Sequence, residues 1–424
     1  MKVLNASLTL SLLFSTLVVN AEEIIPPVVA ESQKQSLEGY LSELKRKQFG
    51  YDYAKVDQDS SKLRDSWIQP IRLQYSFNRQ DMFNELEAPS TNSQSAAIII
   101  DQPIFQSGGL IFGVQFANAS REYSNYSVEQ QQRILIKNAV ELLMKIKQAA
   151  FGIEKQALQI ANSEINLEQK REQYLNGQLD SGFLNNAIIE KNLVIQTMYD
   201  LETAKQRLVS QFEKISDMDY KRAEIPFLAM IDEEKFLEYN IDIKLAQSEL
   251  EKNRLNKNVT LTKYLPAVSL QGSYNWQKNE SFFFINGSPV KSNPPETTYY
   301  KYGIRASMPL DINSYNDYES ARISYLKSLV VIDDKKRELK SLFEQVMQNL
   351  ENFDKKILLS EENRQLYKTL LDETKDLYAA GYKTVYDVST LENSEKIQVI
   401  NKHIFEIDKQ LELLNLYEKI TSEV

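Results

Sequence analysis

The placing of proline constrains this chain more than any other feature. Its 11 prolines stand at positions 26, 27, 70, 89, 103, 226, 266, 289, 294, 295 and 309, and none falls in residues 104–225 or 310–424. Proline breaks a helix interior because it lacks an N–H and its ring meets the preceding turn. Both open blocks are rich in Leu, Ile, Ala, Glu, Lys and Gln, mostly good helix formers. Each therefore predicts a very long helical segment. Glycine is scarce too, at 12 residues. Pro103 and Pro309 mark where a different structure ends and helix begins.

The first block carries coiled-coil periodicity. Ile136, Val140, Leu143, Ala150, Ala157 and Ala161 follow 4-3 spacing, interrupted by Lys147 and Glu154. A second stripe, Leu142, Ile146, Ala149, Ile153 and Ile160, runs beside it. One stripe makes a two-helix seam. Two offset stripes predict a helix with neighbours on both sides, as in a ring of helices, with a thick helical bundle as the other solution.

Before each block the pattern has period two. Ile71, Leu73, Tyr75 and Phe77 alternate with Arg72, Gln74 and Ser76; Val268, Leu270, Gly272, Tyr274 and Trp276 alternate with Ser269, Gln271, Ser273 and Asn275. Tyr300, Tyr302, Ile304, Ala306 and Met308 alternate with Lys301, Gly303, Arg305 and Ser307, and residues 94–101 form a less regular fourth run. These are strands with one apolar face. A soluble half-buried sheet has the same alternation. The runs also approach the roughly 9–11 residues with which a tilted strand crosses a bilayer. Aromatics at the run ends, Trp67, Trp276, Tyr299 and Tyr300, suit membrane interfaces. The connecting segments 81–94 and 279–298 are polar apart from "FFF" at 282–284, a lipid girdle or a plug over a barrel mouth.

Composition removes other classes. Acidic residues outnumber basic ones, 59 to 50, and a net charge of -9 argues against nucleic acid as partner. There is no cysteine, and His403 is the only histidine, so there is no thiolate site or imidazole cluster, and His403, in a charged helical stretch, reads as a surface residue with no sequence context for a Ser-His pair. No catalytic residue, cofactor or metal is expected. Lys2, the apolar stretch after it and "VNA" at 19–21 fit a signal peptide over residues 1–21. The chain is thus read as exported, and any membrane crossing falls to strands, since only helices and closed barrels satisfy the backbone in lipid.

The chain is two copies of one plan. "IQPIRLQYSF" at 68–77 answers "YLPAVSLQGSY" at 264–274, "DQPIF" at 101–105 answers "SMPLD" at 307–311, and "REQYLNGQLDSGFLNNAIIEKN" at 171–192 answers "TKDLYAAGYKTVYDVSTLENSEK" at 374–396. The first repeat, 22–225, has a helix, strands at about 68–80 and 94–102 and long helices over 104–225; the second, 226–424, has a helix at 234–263, strands at about 267–278 and 299–308 and long helices over 312–421. Four strands cannot close a barrel, for which about eight are the practical minimum, so the chain must assemble with copies.

This plan, and especially "LPAVSLQGSYNW", "QPIFQSGG", "MPLDINS" and "YAAGYKTVYDVSTLENS", resembles the TolC-like outer-membrane efflux proteins over about residues 32–420. The resemblance implies an α+β, mainly α fold. Long periplasmic coiled-coil helices form a trimeric α-barrel, and four strands per protomer join a 12-stranded outer-membrane β-barrel. It implies a homotrimer in the outer membrane of a Gram-negative bacterium, with outer-membrane lipid around it. A periplasmic adaptor and an inner-membrane transporter of RND or ABC type would feed it, for drug efflux or type I secretion. A soluble periplasmic coiled-coil adaptor or structural spacer is the alternative. Pro103, Gly108, Gly109 and Pro309 resemble the strand-to-helix turns, and Gly177 and Gly381 the equatorial breaks. Arg72, Gln74, Gln271, Lys301 and Arg305, from the polar side of the strands, are candidates for the barrel lumen. Reading down from Pro103 and back up from Gly177 puts the first helix tip near 148–156, with Gly152 in it, and the second near 352–362. Asp354 and Glu361, with Lys155 and Lys356 as linking partners, are the candidate periplasmic gate.

Overall fold

The computed structural model describes residues 37–81, 90–285, 288–292 and 294–421. The expected signal peptide and Pro89 lie outside these residues, as do the side chains of Phe283 and Phe284. The elements run α1 Glu43–Arg64, β1 Arg72–Asp81, β2 Ser90–Phe105, α2 Gly109–Leu175 and α3 Ser181–Phe212, then α4 Glu233–Glu238, α5 Ile241–Thr262, β3 Ala267–Ile285, β4 Ser288–Ser292, β5 Thr297–Ser307, α6 Ser314–Ala379 and α7 Val385–Tyr417.

The repeat is close in length. α1 and α5 have 22 residues each, α2 and α6 have 67 and 66, and α3 and α7 have 32 and 33. At ~1.5 Å per residue the long helices span about 100 Å. Their termini are set locally. Ser42, Asp180, Asn240 and Thr384 cap their helices with side-chain oxygens, Thr384 and Asp387 as a capping box. The expected single helix over 234–263 is two, because Asn240 ends one segment and accepts the Asp242 and Ile243 amides to start the next.

The turns of the hairpins fall far from where the sequence placed them. α2 is unbroken through 148–156, and Gly152 is an interior helical residue. The chain reverses at 176–180, where Gly177 takes φ +71, and again at 380–384, where Gly381 takes φ +81. Lys191 meets Glu164 and the Gln156 amide reaches the Val194 carbonyl, so α3 runs back along α2. Lys402–Glu361 and Lys409–Asp354 do the same for α6 and α7. Gly177 and Gly381 are thus the hairpin tips and not equatorial breaks.

The waist lies elsewhere. α3 is about half as long as α2, and α1 supplies the missing wall. The Ser42 amide donates to the Ile215 carbonyl at 2.8 Å, so the end of α3 meets the start of α1 beside the middle of α2. In the second repeat the end of α7 meets the start of α5: Asn240 bridges Ile420, and the Ile241 amide reaches the Lys419 carbonyl at 2.7 Å. The main apolar core sits at these two junctions. Leu41, Val140, Leu143, Phe212, Phe236, Val346, Leu414 and Leu416 are all nearly inaccessible. The resulting order is α1/α3, α2, α5/α7, α6. α2 therefore has neighbours on both sides, as its two stripes predict, although Ala157 of the first stripe is exposed.

The strands pair antiparallel in the order β1, β2, β3, β5, with β4 folded back on the far end of β3. All four long strands exist and reach further than expected, into both connecting segments. β2 runs to Phe105 and passes through Pro103, which sits at a register shift opposite Ser269. Proline has no N–H for the ladder, and a bulge is where a strand tolerates it. Pro103 therefore does not open the helix. That turn is made by Ser107 at φ +48 and Gly108 at φ +88, with Gly109 packed against Thr262. The second junction is built differently. Residues 308–313 carry no left-handed residue, and the Asp311 side chain accepts the Asn313 amide at 2.8 Å just before α6.

Candidate functional site

The sheet has two faces of opposite character, and the register defines them. Residues directly opposite in antiparallel strands point to the same side. One face carries Leu73, Tyr75 and Phe77, then Ala96, Ile98 and Ile100, then Val268, Leu270, Tyr274 and Trp276, then Tyr300, Tyr302, Ile304 and Ala306. It is apolar and uncovered: Leu73 is 73% exposed, Tyr302 84% and Ile304 72%. From Val268 to Trp276 this band covers about 26 Å along the strand at ~3.3 Å per residue. It stops at a charged cluster in which Lys278 meets Glu280 and Glu296, and Lys291 meets Glu280. Trp276 Nε1 donates to Glu296 at the boundary.

The opposite face is polar. Arg72, Gln74, Gln271, Lys301 and Arg305 all lie on it, as the alternation predicted. So do Ser76, Ser95, Ser273 and Asn275. Gln271 donates to Asp101, and Arg305 stands 3.9 Å from the same carboxylate. Tyr299 pairs with Asn275 on this polar face, so it belongs to no outer aromatic girdle. Among the described residues no helix is long and apolar enough to cross a membrane, and no group of three or more His, Asp or Glu is placed to hold a metal ion.

Sheet and helices share one kind of incompleteness. β1 and β5 leave their outer edges unpaired among the described residues. The flanking helices show apolar side chains outward: Leu44, Tyr51, Ile189, Leu193 and Tyr199 on α1 and α3, and Ile323, Val330, Leu358, Leu359 and Leu366 on α6. One border belongs to the first repeat, β1 with α1 and α3, and the other to the second, β5 with α6.

The expected gate residues are not at the tips. Asp354 is 27 residues before Gly381, about 40 Å along the helix at ~1.5 Å per residue. Its carboxylate is held by Lys409 of the same hairpin at 2.6 Å. Glu361 is held by Arg364, Gln365 and Lys402, and the Arg364 hydrogen bonds keep its carboxyl at about 2. Lys356 lies over Phe353 and Phe405, and Lys155 is half-buried on the α2 shaft. The polar links between the two hairpins are others. Gln148 donates to Asp408, Asn393 to Asn162, and Tyr386 to Glu172 near the tips at 3.0 Å. Periodicity could not pair residues over 200 positions apart, although the repeat alignment had set 171–192 against 374–396, the segments where the last of these links lies.

No protein-family model and no curated protein matches the chain. Solved structures do. The Campylobacter jejuni CmeC outer membrane channel is 13% identical, with 92% of this chain and 86% of that one covered and a TM-score of 0.68. The outer membrane protein VceC of Vibrio cholerae is 13% identical, with 90% and 95% covered and a TM-score of 0.63. The open state of the Neisseria gonorrhoeae MtrE outer membrane channel is 12% identical, with 90% and 86% covered and a TM-score of 0.59. The chain has the fold of these channels over nearly its whole described length, the TolC-like fold its motifs resemble.

Proposed function

We propose that the chain is one protomer of an outer-membrane channel-tunnel, a passive exit duct that makes and breaks no bonds. The observation that carries this reading is the two-faced sheet joined to the helical shaft. A bare apolar face about as tall as a membrane's hydrocarbon layer, backed by a polar face, is what a transmembrane barrel strand needs. The two free edges are of opposite sense. β1 leaves the shaft and β5 returns to it, so β5 of one copy pairs antiparallel with β1 of the next, and closure removes every edge. Three copies close a 12-stranded barrel, and their helices close a tunnel beneath it in the periplasm. The named neighbours, all outer-membrane proteins and two of them channels by name, support this assignment.

An inner-membrane transporter, of RND or ABC type, supplies the energy and loads the duct through a periplasmic adaptor, for drug-like molecules or for secreted proteins. On this reading the closing seam is Glu172–Tyr386 and Asn162–Asn393, near the tips, in place of Asp354, Glu361, Lys155 and Lys356; the hydrogen bonds between the hairpins support it. The test is assembly and conduction together. Protein extracted from the outer-membrane fraction should have the mass of three chains in detergent and insert discrete conductances into planar bilayers. A detergent monomer with full strand content, or a trimer that never conducts, overturns the reading.

A further inference from the structure

The charged groups on the polar face of the sheet are crowded at one end. Among the described residues they are four: Arg72, Asp101, Lys301 and Arg305. Arg72 and Lys301 share a row with Ile99 and Ser273; Asp101 lies in the next row with Gln271 and Gly303; Arg305 lies in the one after, opposite Ser269. Three consecutive rows on one face cover about 14 Å at ~3.4 Å per residue. They lie at the shaft end of the sheet, where only the uncharged Ala267–Ser307 row of this face is nearer the helices. Towards the far end the same face carries Gln74, Ser76, Asn78 and Gln80 with Asn275, Gln277, Asn279 and Ser281, none of them charged.

The excess is positive and only partly compensated. Arg305 approaches Asp101 at 3.9 Å, and Gln271 holds the same carboxylate. Arg72 and Lys301 have no carboxylate within 4 Å among the described residues; Lys301 sits 5.1 Å from the Tyr299 ring centre. A recess of about 500 Å³ opens here, lined by Arg72, Asp101, Pro103, Ser269 and Arg305. That volume is ordinary for a small-molecule site. The surplus is local, because the chain as a whole carries a net charge of -9.

We propose that these rows form a cationic collar at the junction of barrel and shaft, a station that attracts solutes bearing carboxylate, sulfate or phosphate groups as they enter the barrel. The proposal rests on the barrel reading above. Three-fold symmetry repeats three cations against one acid around the wall, and a ring of one sign concentrates counter-ions. The Debye length is ~30 Å at 10 mM salt and ~8 Å at 0.15 M, so the collar governs the whole bore only at low ionic strength. At higher salt it acts within the recesses.

The experiment uses the assembled protein in planar bilayers, in a potassium chloride gradient at low ionic strength, with inorganic tripolyphosphate as the blocking anion. The wild type should show a reversal potential displaced towards chloride and a block by tripolyphosphate that weakens with added salt. R72Q/K301Q/R305Q should move the reversal potential towards potassium and raise the half-blocking concentration by about tenfold or more. R72Q alone, which removes no ion pair, should move both in the same direction and serves if the triple variant does not assemble. D101N should deepen the block. R79Q, on the opposite face, should change neither. A triple variant or R72Q that conducts with the wild-type reversal potential and half-blocking concentration overturns the collar and leaves the channel standing. A trimer that passes no current overturns the channel itself.

Discussion

Gly177 and Gly381 hold the left-handed conformations on which both hairpins reverse, with nothing near the position a Cβ would take. The cost of alanine there is therefore backbone strain alone, about 1–2 kcal/mol. G177A and G381A should speed amide hydrogen exchange in residues 173–184 and 377–388, with asparagine variants affected less. Glu361 offers a test by pH. Hydrogen bonds from Arg364, then from Gln365, hold its carboxyl at about 2 against an ordinary 4.5. A depressed carboxyl favours the folded state above its ordinary value, and that contribution is lost as pH falls from about 4.5 through 2. Melting temperatures of the wild type and E361Q should converge over that window, and a constant gap would remove the link. At this scale the sequence was informative where period two sufficed. The five polar-face residues needed only alternation along their strands. Its place at a run end suggests an outward Tyr299, but its odd number puts it with Lys301 and Arg305. The two glycines were recognised as breaks, yet local sequence carries no measure of how far along the shaft a break lies.

Among the elements, the end-to-end joins of α3 with α1 and of α7 with α5 are the feature that local pattern could not reveal. α1 precedes α3 by more than a hundred residues, and no periodicity links them. A symmetric hairpin was the natural expectation, and it misplaced both tips by over twenty residues. The joins concentrate the core, so F212A and F236A should each cost about 3–5 kcal/mol. Chemical denaturation monitored by helix content would show the loss, with the shaft near the waist losing hydrogen-exchange protection first. The seam between hairpins is weaker. Tyr386 and Glu172 share a single solvent-exposed hydrogen bond, for which water competes. Y386F combined with N393A should raise resting single-channel conductance; unchanged conductance would place the closure elsewhere.

For the whole molecule, the proposed assembly rests on borders that one chain leaves uncovered. A variant lacking β1, residues 72–81, leaves β5 of the neighbour unpaired and should yield no three-chain species in detergent. The alternation of strands, the two proline-free blocks and the internal repeat made the architecture legible, because each is a property of local spacing. The two uncovered borders become visible only with α1/α3 and α6 at opposite sides of the same strip. The matched lengths of the two repeats have a further consequence. Each residue added to a helix advances it ~1.5 Å and rotates it ~100°, so an insertion in one repeat alone would lift one tip out of level with its twin and turn its apolar stripe away. Tolerated insertions and deletions should therefore arrive as sets: about seven residues, two turns, taken together from α2, α3, α6 and α7. Each copy of the duplication is the gauge against which the other is held, and descendants of this chain are free to become longer or shorter only in step.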